Sequence, residues 1–340
     1  MPNIRLFGNK DTRNLRQYPT PNQPPQTGGS SNPSLDKLEL LNQNKHKHGK
    51  LGALDKRVLS KYLTRQIVLP LINLHTDMER SYWTAFRCGN TMIQQGQKLI
   101  TTYCKHRACI TCNRIRTAQL INGYYPQLKE FDYPQFVTLT RPNVRAYELR
   151  AEIESMIKIF SLIMRKAKRI GLSNSALRKI ECTYNVRANT FNPHIHVISS
   201  NKELSTFILN EWLKRNKNAS KRAQDIREAD GNSTKELFKY FTKLVHMKYD
   251  ERMNKSNITV QPYALDRILS AIKGKRTFQT YGSLRLVSED IEEIQSQDYP
   301  ELDNEMNVWN YYPIIHNYVS EGGVVLSEIN PPDLYNITIE

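Results

Sequence analysis

The stretch "RKIECTYNVRANTFNPHIHVISS", residues 178–200, predicts a β-hairpin that carries two histidines on its second strand. Two runs of β-forming residues flank the turn-forming segment "RANTFN". Successive side chains of a strand point to opposite faces, so His194 and His196 share one face. Folding the hairpin about residues 188–189 places Glu181 opposite His196 on that face. The stretch therefore predicts a cluster of two imidazoles and one carboxylate.

Such a cluster is a candidate metal site with open positions for water and for a phosphate oxygen. Mixed nitrogen and oxygen ligation suits Mn²⁺ or Mg²⁺ near substrate phosphates, and Zn²⁺ or Fe²⁺ is also compatible with it. The alternative is that both histidines are ordinary polar residues on a solvent-facing strand. An isolated His-x-His pair favours that alternative, whereas the Glu181 carboxylate makes the two interpretations comparable.

The overall composition favours a polyanionic partner. The chain of 340 residues has a net charge of +16, and its pI is near 9.5. No stretch approaches the roughly eighteen apolar residues of a membrane span, and the N-terminal residues lack the apolar core of a signal peptide. We therefore expect a soluble, cytoplasmic protein that binds nucleic acid and no membrane. In that reducing compartment the five cysteines are expected to bind a metal or to remain thiols.

Changes in composition divide the chain into four segments. Residues 1–35 are rich in Pro, Gly, Asn, Gln and Ser, and we expect them to be disordered. Residues 36–122 are expected to form a helical, cysteine-rich region that binds zinc and DNA. Residues 123–287 hold the hairpin and the main domain. Residues 288–340 form an acidic tail, which we expect to be a solvated appendage; the alternative is that it folds over the basic surface.

The order of the predicted elements favours an α+β fold, an antiparallel β-sheet with flanking helices. A buried strand is predicted for "PQFVTLTRPN", and an amphipathic helix is predicted for residues 145–170. After the hairpin, helical spacing fits residues 203–215, 234–248 and 263–273. The strand-like segment "RTFQTYGSLRLV" follows them.

The segment "STKELFKYFTK", residues 233–243, places a tyrosine at the edge of a predicted apolar stripe. Tyr240 can pack its ring there while it presents its hydroxyl group. Glu236 and Lys243 share that flank of the helix, four residues before Tyr240 and three residues after it. A single tyrosine is more often a packing residue, and Glu–Lys pairs on helices are usually solvated.

The segments "RCGN" and "YCKHRACITCNRIR" predict a second metal site. Cys109 and Cys112 have the spacing of a metal knuckle, and Cys88 and Cys104 complete a four-sulfur site for a structural Zn²⁺. His106 is the alternative fourth ligand, and a set of reduced, partly buried thiols is the alternative to a metal. The same segment carries three arginines that we expect to contact the DNA backbone: Arg107, Arg114 and Arg116.

Three motifs now resemble, in order, those of rolling-circle replication initiators, which are HUH endonucleases encoded by small bacterial plasmids. They are "FVTLTRPN", Glu181 thirteen residues before "HIH", and "ELFKYFTK". One tyrosine with a glutamate four residues before it is similar to the subgroup that uses one tyrosine and one glutamate. The resemblance covers roughly residues 85–285, and plasmid initiators of this type often carry a similar cysteine-rich stretch. This chain has Asn192 and Pro193 before the histidines and no third histidine, so the third ligand depends on Glu181.

The resemblance implies a metal-dependent, site-specific DNA endonuclease that nicks and rejoins single-stranded or hairpin origin DNA. In that chemistry Tyr240 attacks a phosphodiester to form a 5′-phosphotyrosine, and the free 3′-OH primes a host polymerase. Lys243 stabilises the developing charge, and Glu236 activates the water of the terminating cleavage. The implied ligands of Mn²⁺ or Mg²⁺ are His194, His196 and Glu181.

Two rival interpretations share parts of this pattern. A transposase or relaxase would use the same chemistry, but such enzymes usually have a much larger chain or helicase-like parts. This chain has no Gly-rich phosphate loop, so we expect it to use a host helicase. A zinc-containing DNA-binding regulator without catalysis is the rival from another class, and formation of a covalent DNA adduct discriminates against it. If Tyr240 is not the nucleophile, Tyr249 is the next candidate.

Overall fold

The structure is a computed structural model that describes residues 51–230, 233, 237–238, 245–250, 253, 255–287, 299 and 301–340. Its α-helices within those residues are α1 (Ala53–Ile72), α2 (Glu79–Arg87), α3 (Ile110–Lys129), α4 (Leu149–Arg169), α5 (Lys202–Arg215), α6 (Pro262–Ile272) and α7 (Pro331–Leu334). Its strands are β1 (Thr91–Gln95), β2 (Lys98–Ile100), β3 (Gln135–Thr140), β4 (Ala176–Asn185), β5 (Thr190–Ser199), β6 (Asp225–Glu228), β7 (Val245–Asp250), β8 (Lys255–Val260), β9 (Phe278–Tyr281), β10 (Met306–Tyr312), β11 (Asn317–Ser320) and β12 (Tyr335–Ile339). Antiparallel sheets with packed helices confirm the predicted α+β class. The disorder predicted for residues 1–35 lies outside the described residues.

A five-stranded antiparallel sheet in the order β6-β3-β5-β4-β9 is the centre of the fold. Strands β4 and β5 form the predicted hairpin, and Asn189 in its turn has a φ of 48°, a left-handed conformation that asparagine tolerates. Helices α4 and α5 cover one face of this sheet, where Val137, Ile195 and Val197 are fully buried. No helix of the described residues is both long and apolar enough to cross a membrane.

Helix α4 shows how local sequence determines these elements. Its apolar residues recur every three or four positions and are buried: Leu149, Ile153, Met156, Phe160, Ile163, Met164 and Ala167. The helix ends before Gly171, whose φ of 75° suits glycine. The amides of Gly171 and Leu172 donate to the carbonyls of Lys168 and Ala167, which caps the last turn.

A second apolar cluster covers the opposite face of the central sheet. It joins residues of α3, of the sheet and of the predicted tyrosine segment: Leu120, Tyr124, Leu128, Phe136, Leu177, Ile198, Leu237, Phe238, Phe278 and Leu284. The Phe238 ring stacks on the rings of Phe278 and Tyr124, with centroid distances of 5.9 and 6.3 Å. The described part of the tyrosine segment therefore packs onto this second face.

The helix predicted for residues 234–248 is wrong at its end, because Val245–Asp250 form strand β7. β7 pairs with β8, and β8 pairs in parallel with the C-terminal strand β12. Pairing with β8, in a sheet that the distant strand β12 completes, overrides the local helical spacing here. Residues 233, 237 and 238 are helical, and the rest of the predicted helix lies outside the described residues.

Residues 301–340 of the acidic C-terminal segment are themselves folded, so the expectation of a solvated appendage is wrong for them. Strand β10 pairs with β1 of the cysteine-rich region in a four-stranded sheet of order β11-β10-β1-β2. Trp309 is buried in it and donates from Nε1 to Gln94 Oε1 at 2.9 Å. The Tyr318 hydroxyl donates to the Gly89 carbonyl at 2.7 Å. Buried aromatic residues between the carboxylates hold this segment in the fold.

Gly282, directly after β9, is expected to tolerate no side chain. Its φ is 67°, and a Cβ there would lie 2.6 Å from the backbone N and Cα of Ser175. Gly274 has a φ of 75° but open space around it. Gly274→Ala should therefore lower the free energy of unfolding by roughly 1–2 kcal/mol, the strain of a left-handed alanine. Gly282→Ala should lower the free energy of unfolding by at least about 1 kcal/mol more than Gly274→Ala does, because the backbone at Ser175 must also move. Equal losses in denaturant unfolding would contradict this packing.

Candidate functional site

Glu181, His194 and His196 meet on the second face of the central sheet. Their ligand atoms all lie within 4.8 Å of one another. Glu181 Oε2 is 3.4 Å from His194 Nε2 and 3.3 Å from His196 Nε2. The structure thus brings together the three residues that the hairpin pattern and the family resemblance single out.

The register of the hairpin differs by two residues from the predicted one. Glu181 pairs with His194 and not with His196, whereas Lys179 pairs with His196. The pairing of Asn185 with Thr190 centres the turn between residues 187 and 188. Because side chains alternate with a period of two, this shift leaves every side chain on its predicted face. The cluster therefore forms despite the wrong register.

Each histidine uses Nδ1 for a protein contact and turns Nε2 towards Glu181. His194 Nδ1 is 3.0 Å from the Asn192 carbonyl oxygen, which can only accept, so Nδ1 carries the proton. His196 Nδ1 is 3.1 Å from the Thr138 hydroxyl on the neighbouring strand β3. Metal-binding histidines in proteins are commonly oriented in this way. Asn192 and Thr138 thus orient the two imidazoles.

Lys179 belongs to the site, although sequence reasoning missed it. Its Nζ donates to Glu181 Oε1, which leaves Oε2 directed at the imidazoles. The signal in the sequence is its position two residues before Glu181, on the same face of the strand. Such a lysine is usually solvated on a strand, but Lys179 is only 4% exposed. It holds the carboxylate in a fixed orientation.

The electrostatics of the site favour a bound cation. Burial raises the pKa of Glu181, but hydrogen bonds from His194 and His196 and the charge of Lys179 outweigh it, so that pKa lies far below its usual value. Burial lowers the pKa of His196, which is therefore neutral at pH 7. Its Nε2 is buried and lies 3.3 Å from Glu181 Oε2. A carboxylate and two imidazole nitrogens that converge on one point fit a divalent cation.

The four cysteines of the predicted second site also come together. Their sulfurs lie within 4.8 Å of one another, and Cys112 Sγ is 3.7 Å from Cys88 Sγ and 3.6 Å from Cys104 Sγ. These distances exceed the roughly 2.0 Å of a disulfide. They match the edge of about 3.8 Å that tetrahedral Zn–S bonds of about 2.3 Å produce.

Backbone amides hold these sulfurs in place. Cys88 Sγ accepts from the Cys104 amide at 3.4 Å, and Cys104 Sγ accepts from the His106 amide at 3.3 Å. Cys109 precedes α3, and its sulfur accepts from the Cys112 amide. Thiol hydrogen bonds, first from Cys104, lower the pKa of Cys109 well below its usual value. His106 Nδ1 instead accepts from the Ala108 amide at 3.0 Å, so His106 lies outside the sulfur cluster.

The three arginines of this segment have different surroundings. Arg116 is buried and donates to the Asn113 side chain and the Lys105 carbonyl. Arg107 is half-buried and donates to Thr277 Oγ1 at the start of the β9 region. Arg114 is exposed, although it donates to α1. Arg116 therefore supports the cysteine loop, and only the other two have an accessible surface.

Tyr240, Glu236 and Lys243 lie outside the described residues. The nearest described residues are Leu237 and Phe238, which pack on the face that carries the histidines. The Phe238 ring lies 5.9 Å from the Phe278 ring, which in turn lies 5.7 Å from Lys179 Nζ. The Phe278 ring thus lies between Phe238 and Lys179, the lysine that contacts Glu181.

Comparison with known proteins identifies the family. The family described as "Replication protein" matches residues 97–312, more than half of the chain. A Staphylococcus aureus protein named "Protein rep" is 29% identical over 170 residues, which cover 46% of this chain and 72% of that protein. A Streptococcus pneumoniae "Protein rep" is 31% identical over 124 residues, which cover 33% of this chain and only 38% of the relative. No solved structure matches.

The chain therefore belongs to this family of replication proteins. Its recognition as a rolling-circle replication initiator is confirmed at the level of the family. The matched region contains the hairpin, the tyrosine segment and three of the four clustered cysteines.

Thr138 is expected to support metal binding through His196. Thr138→Val removes the hydroxyl that contacts Nδ1, so the imidazole loses its orientation. The affinity for Mn²⁺, measured by calorimetry, should fall roughly 10- to 100-fold. Thr138→Ser keeps the hydroxyl and should bind Mn²⁺ as the unchanged protein does. Undiminished affinity in Thr138→Val would show that the contact does not orient the ligand.

Proposed function

We propose that the protein initiates plasmid rolling-circle replication by nicking and rejoining single-stranded origin DNA through Tyr240. The packing of Leu237 and Phe238 on the histidine face of the sheet is the observation that carries this proposal. It puts the chain that leads into Tyr240 on the side where Glu181, His194 and His196 converge.

Chain length limits how far Tyr240 can be from this face. Two residues of extended chain span at most about 7 Å, and Tyr240 follows Phe238 by two residues. Glu236 directly precedes Leu237, so its Cα lies about 3.8 Å from that of Leu237. A tyrosine side chain on this tether has the length to present its hydroxyl to a phosphate at the metal centre.

The proposed reaction is an in-line displacement at phosphorus. The Tyr240 oxygen bonds to the phosphorus of a phosphodiester, and the bond from phosphorus to the 3′ oxygen breaks. The phenol loses its proton and the leaving 3′ oxygen gains one, which leaves a 5′-phosphotyrosine and a free 3′-OH. Lys243 offsets the negative charge that develops. The ester keeps the energy of the cleaved bond, so a later strand can be joined without ATP.

Termination uses the glutamate of the same segment. Glu236 takes a proton from a water that attacks the second phosphodiester, so a single tyrosine suffices. This division of roles places the protein in the subgroup with one tyrosine and one glutamate. A host polymerase extends the free 3′-OH, and a host helicase opens the duplex.

The donors Glu181, His194 and His196 would hold Mn²⁺ or Mg²⁺. Such an ion would supply Lewis-acid polarisation of the scissile phosphate and would offset its charge. Lys179 orients the Glu181 carboxylate through a hydrogen bond. Asn192 and Thr138 orient the imidazoles of His194 and His196 through their Nδ1 atoms. The Glu181 side chain is 15% exposed, so a phosphate can approach from that side.

The sulfur cluster would hold a structural Zn²⁺, and the exposed basic surface would bind DNA. Cys109 and Cys112 stand at the start of α3, whose far end packs against Phe238. The metal would therefore fix the helix that supports the tyrosine segment. Arg107 and Arg114 are the members of the predicted arginine set with an accessible surface for the DNA backbone. We expect the protein to act in the cytoplasm, where its host partners are.

A covalent adduct with DNA is the expected product of the proposed chemistry. Unchanged protein, incubated with single-stranded origin DNA and Mn²⁺, should give a slower-migrating band on a denaturing gel. Tyr240→Phe should abolish the band because it lacks the nucleophilic oxygen, whereas the matched control Tyr249→Phe should retain it. A band with Tyr240→Phe would assign another nucleophile. No band from the unchanged protein with any metal or origin sequence would support a DNA-binding regulator instead.

Zinc content is expected to follow the four clustered cysteines. Cys112→Ser should lose the roughly one zinc per chain that atomic emission detects, and should unfold at a lower temperature, because a tetrahedral site needs all four thiolates. The matched control is Cys182→Ala, since Cys182 is the remaining cysteine and is buried in β4. It should retain full zinc content. Zinc that persists in Cys112→Ser, or is absent from the unchanged protein, would contradict a four-sulfur zinc site.

A further inference from the structure

A basic loop beside the metal centre has no role in the chemistry described so far. The loop "KRNKNASKR", residues 214–222, runs from the end of α5 towards β6. It contains five cations and no carboxylate. We refer to these nine residues as the basic loop.

Most charges of the basic loop face solvent. Arg215 pairs with Glu211 at 3.2 Å, whereas the four other cations are exposed. Lys214, Lys217, Lys221 and Arg222 take part in no ion pair with the described residues. Exposed cations that pair with no described carboxylate are available to a polyanion.

Both ends of the basic loop are tied to a single residue of the central sheet, Thr140. Before the loop, the buried Trp212 donates from Nε1 to the Thr140 carbonyl at 3.2 Å. After the loop, Gln224 Oε1 accepts from the Thr140 amide at 2.7 Å, and Gln224 Nε2 lies 3.2 Å from the Thr140 hydroxyl. The Thr140 hydroxyl donates to the Ala223 carbonyl at 3.1 Å. These hydrogen bonds anchor both ends of the loop to strand β3.

Thr140 connects the basic loop to the metal centre. It is the β3 residue that pairs with His194 on β5. Neighbouring strands lie about 4.8 Å apart, so the ends of the loop are anchored one strand away from a metal ligand. A charge run of this kind is ordinarily a solvated surface, but here it is fixed at the edge of the site.

We propose that the basic loop binds backbone phosphates of the single-stranded DNA that flank the phosphate at the metal centre. The assignment rests on the proposed function for the identity of the strand. Lysine and arginine charges attract phosphates irrespective of sequence, so the loop contributes affinity and position rather than choice of origin. Fixed cations beside the centre hold the strand where the scissile phosphate can reach the ligands.

Neutralising the loop tests this assignment. The variant Lys217→Gln, Lys221→Gln, Arg222→Gln removes three of its charges. A matched control removes the same residue types from the exposed side of α4, which covers the opposite face of the sheet: Lys158→Gln, Arg165→Gln, Lys168→Gln. Binding is measured by fluorescence anisotropy with a labelled thymidine oligonucleotide over a range of salt concentrations.

The plot of log affinity against log salt concentration has a negative slope. We expect this slope to be shallower by about 2 in the loop variant, roughly 0.7 for each of the three lost phosphate contacts. At 0.1 M salt this corresponds to an affinity loss of about 100-fold. The control should change the slope and the affinity much less. Calorimetry with Mn²⁺ and thermal unfolding should be the same for both variants, because neither touches the ligands.

Equal slopes and affinities for the loop variant and the control would overturn the assignment. A loss confined to duplex DNA would also overturn it. Failure of the proposed function has a different signature, namely no covalent adduct from the unchanged protein. If the adduct is absent while the loop variant still loses affinity for the oligonucleotide, the nuclease proposal fails and the DNA-binding loop stands.

Discussion

The pairing of Glu181 with His194 across the β4–β5 hairpin is the constraint on which the site depends. It aligns a carboxylate with two imidazoles on one face and brings Lys179 alongside His196. A slip by one residue would turn Glu181 towards α4 and α5 and replace it with an apolar side chain. Thr138 and Asn192 then orient the rings within this register. The cluster of Glu181, His194 and His196 is thus a consequence of strand pairing and needs no special loop.

The sequence predicted which face each residue occupies, but not the register of the strands. Alternation determines the face and tolerates a shift by two residues, which is why the clustering of Glu181, His194 and His196 was predicted although the turn was misplaced. Lys179 was missed because local sequence does not show whether a lysine on a strand is buried. The strands β7 and β10 were missed for another reason, because strand pairing outweighs local propensity. β7 pairs with β8 in a sheet that the distant strand β12 completes, and β10 pairs with the distant strand β1.

The sulfur cluster and the cluster of Glu181, His194 and His196 are connected through packed elements. Arg107 of the cysteine loop donates to Thr277, and the Thr277 carbonyl accepts from the amide of Ile180, beside Glu181. Helix α3 begins at the cluster, and its Tyr124 stacks on Phe238. Two routes therefore link the cysteine loop to the histidine face, one through the sheet and one through the helix. A metal bound at the sulfur cluster would therefore also stabilise the surroundings of Glu181, His194 and His196.

The distance between the proposed metal site and Tyr240 most directly distinguishes a nuclease from a protein in which His194 and His196 are ordinary polar residues on a strand. Incorporation of fluorotyrosine at position 240, followed by titration with Mn²⁺, reports it through paramagnetic broadening of the fluorine resonance. Strong broadening that disappears in His194→Ala is the result expected if Tyr240 faces the ion. A resonance that Mn²⁺ leaves sharp, although calorimetry shows the ion bound, would contradict that arrangement.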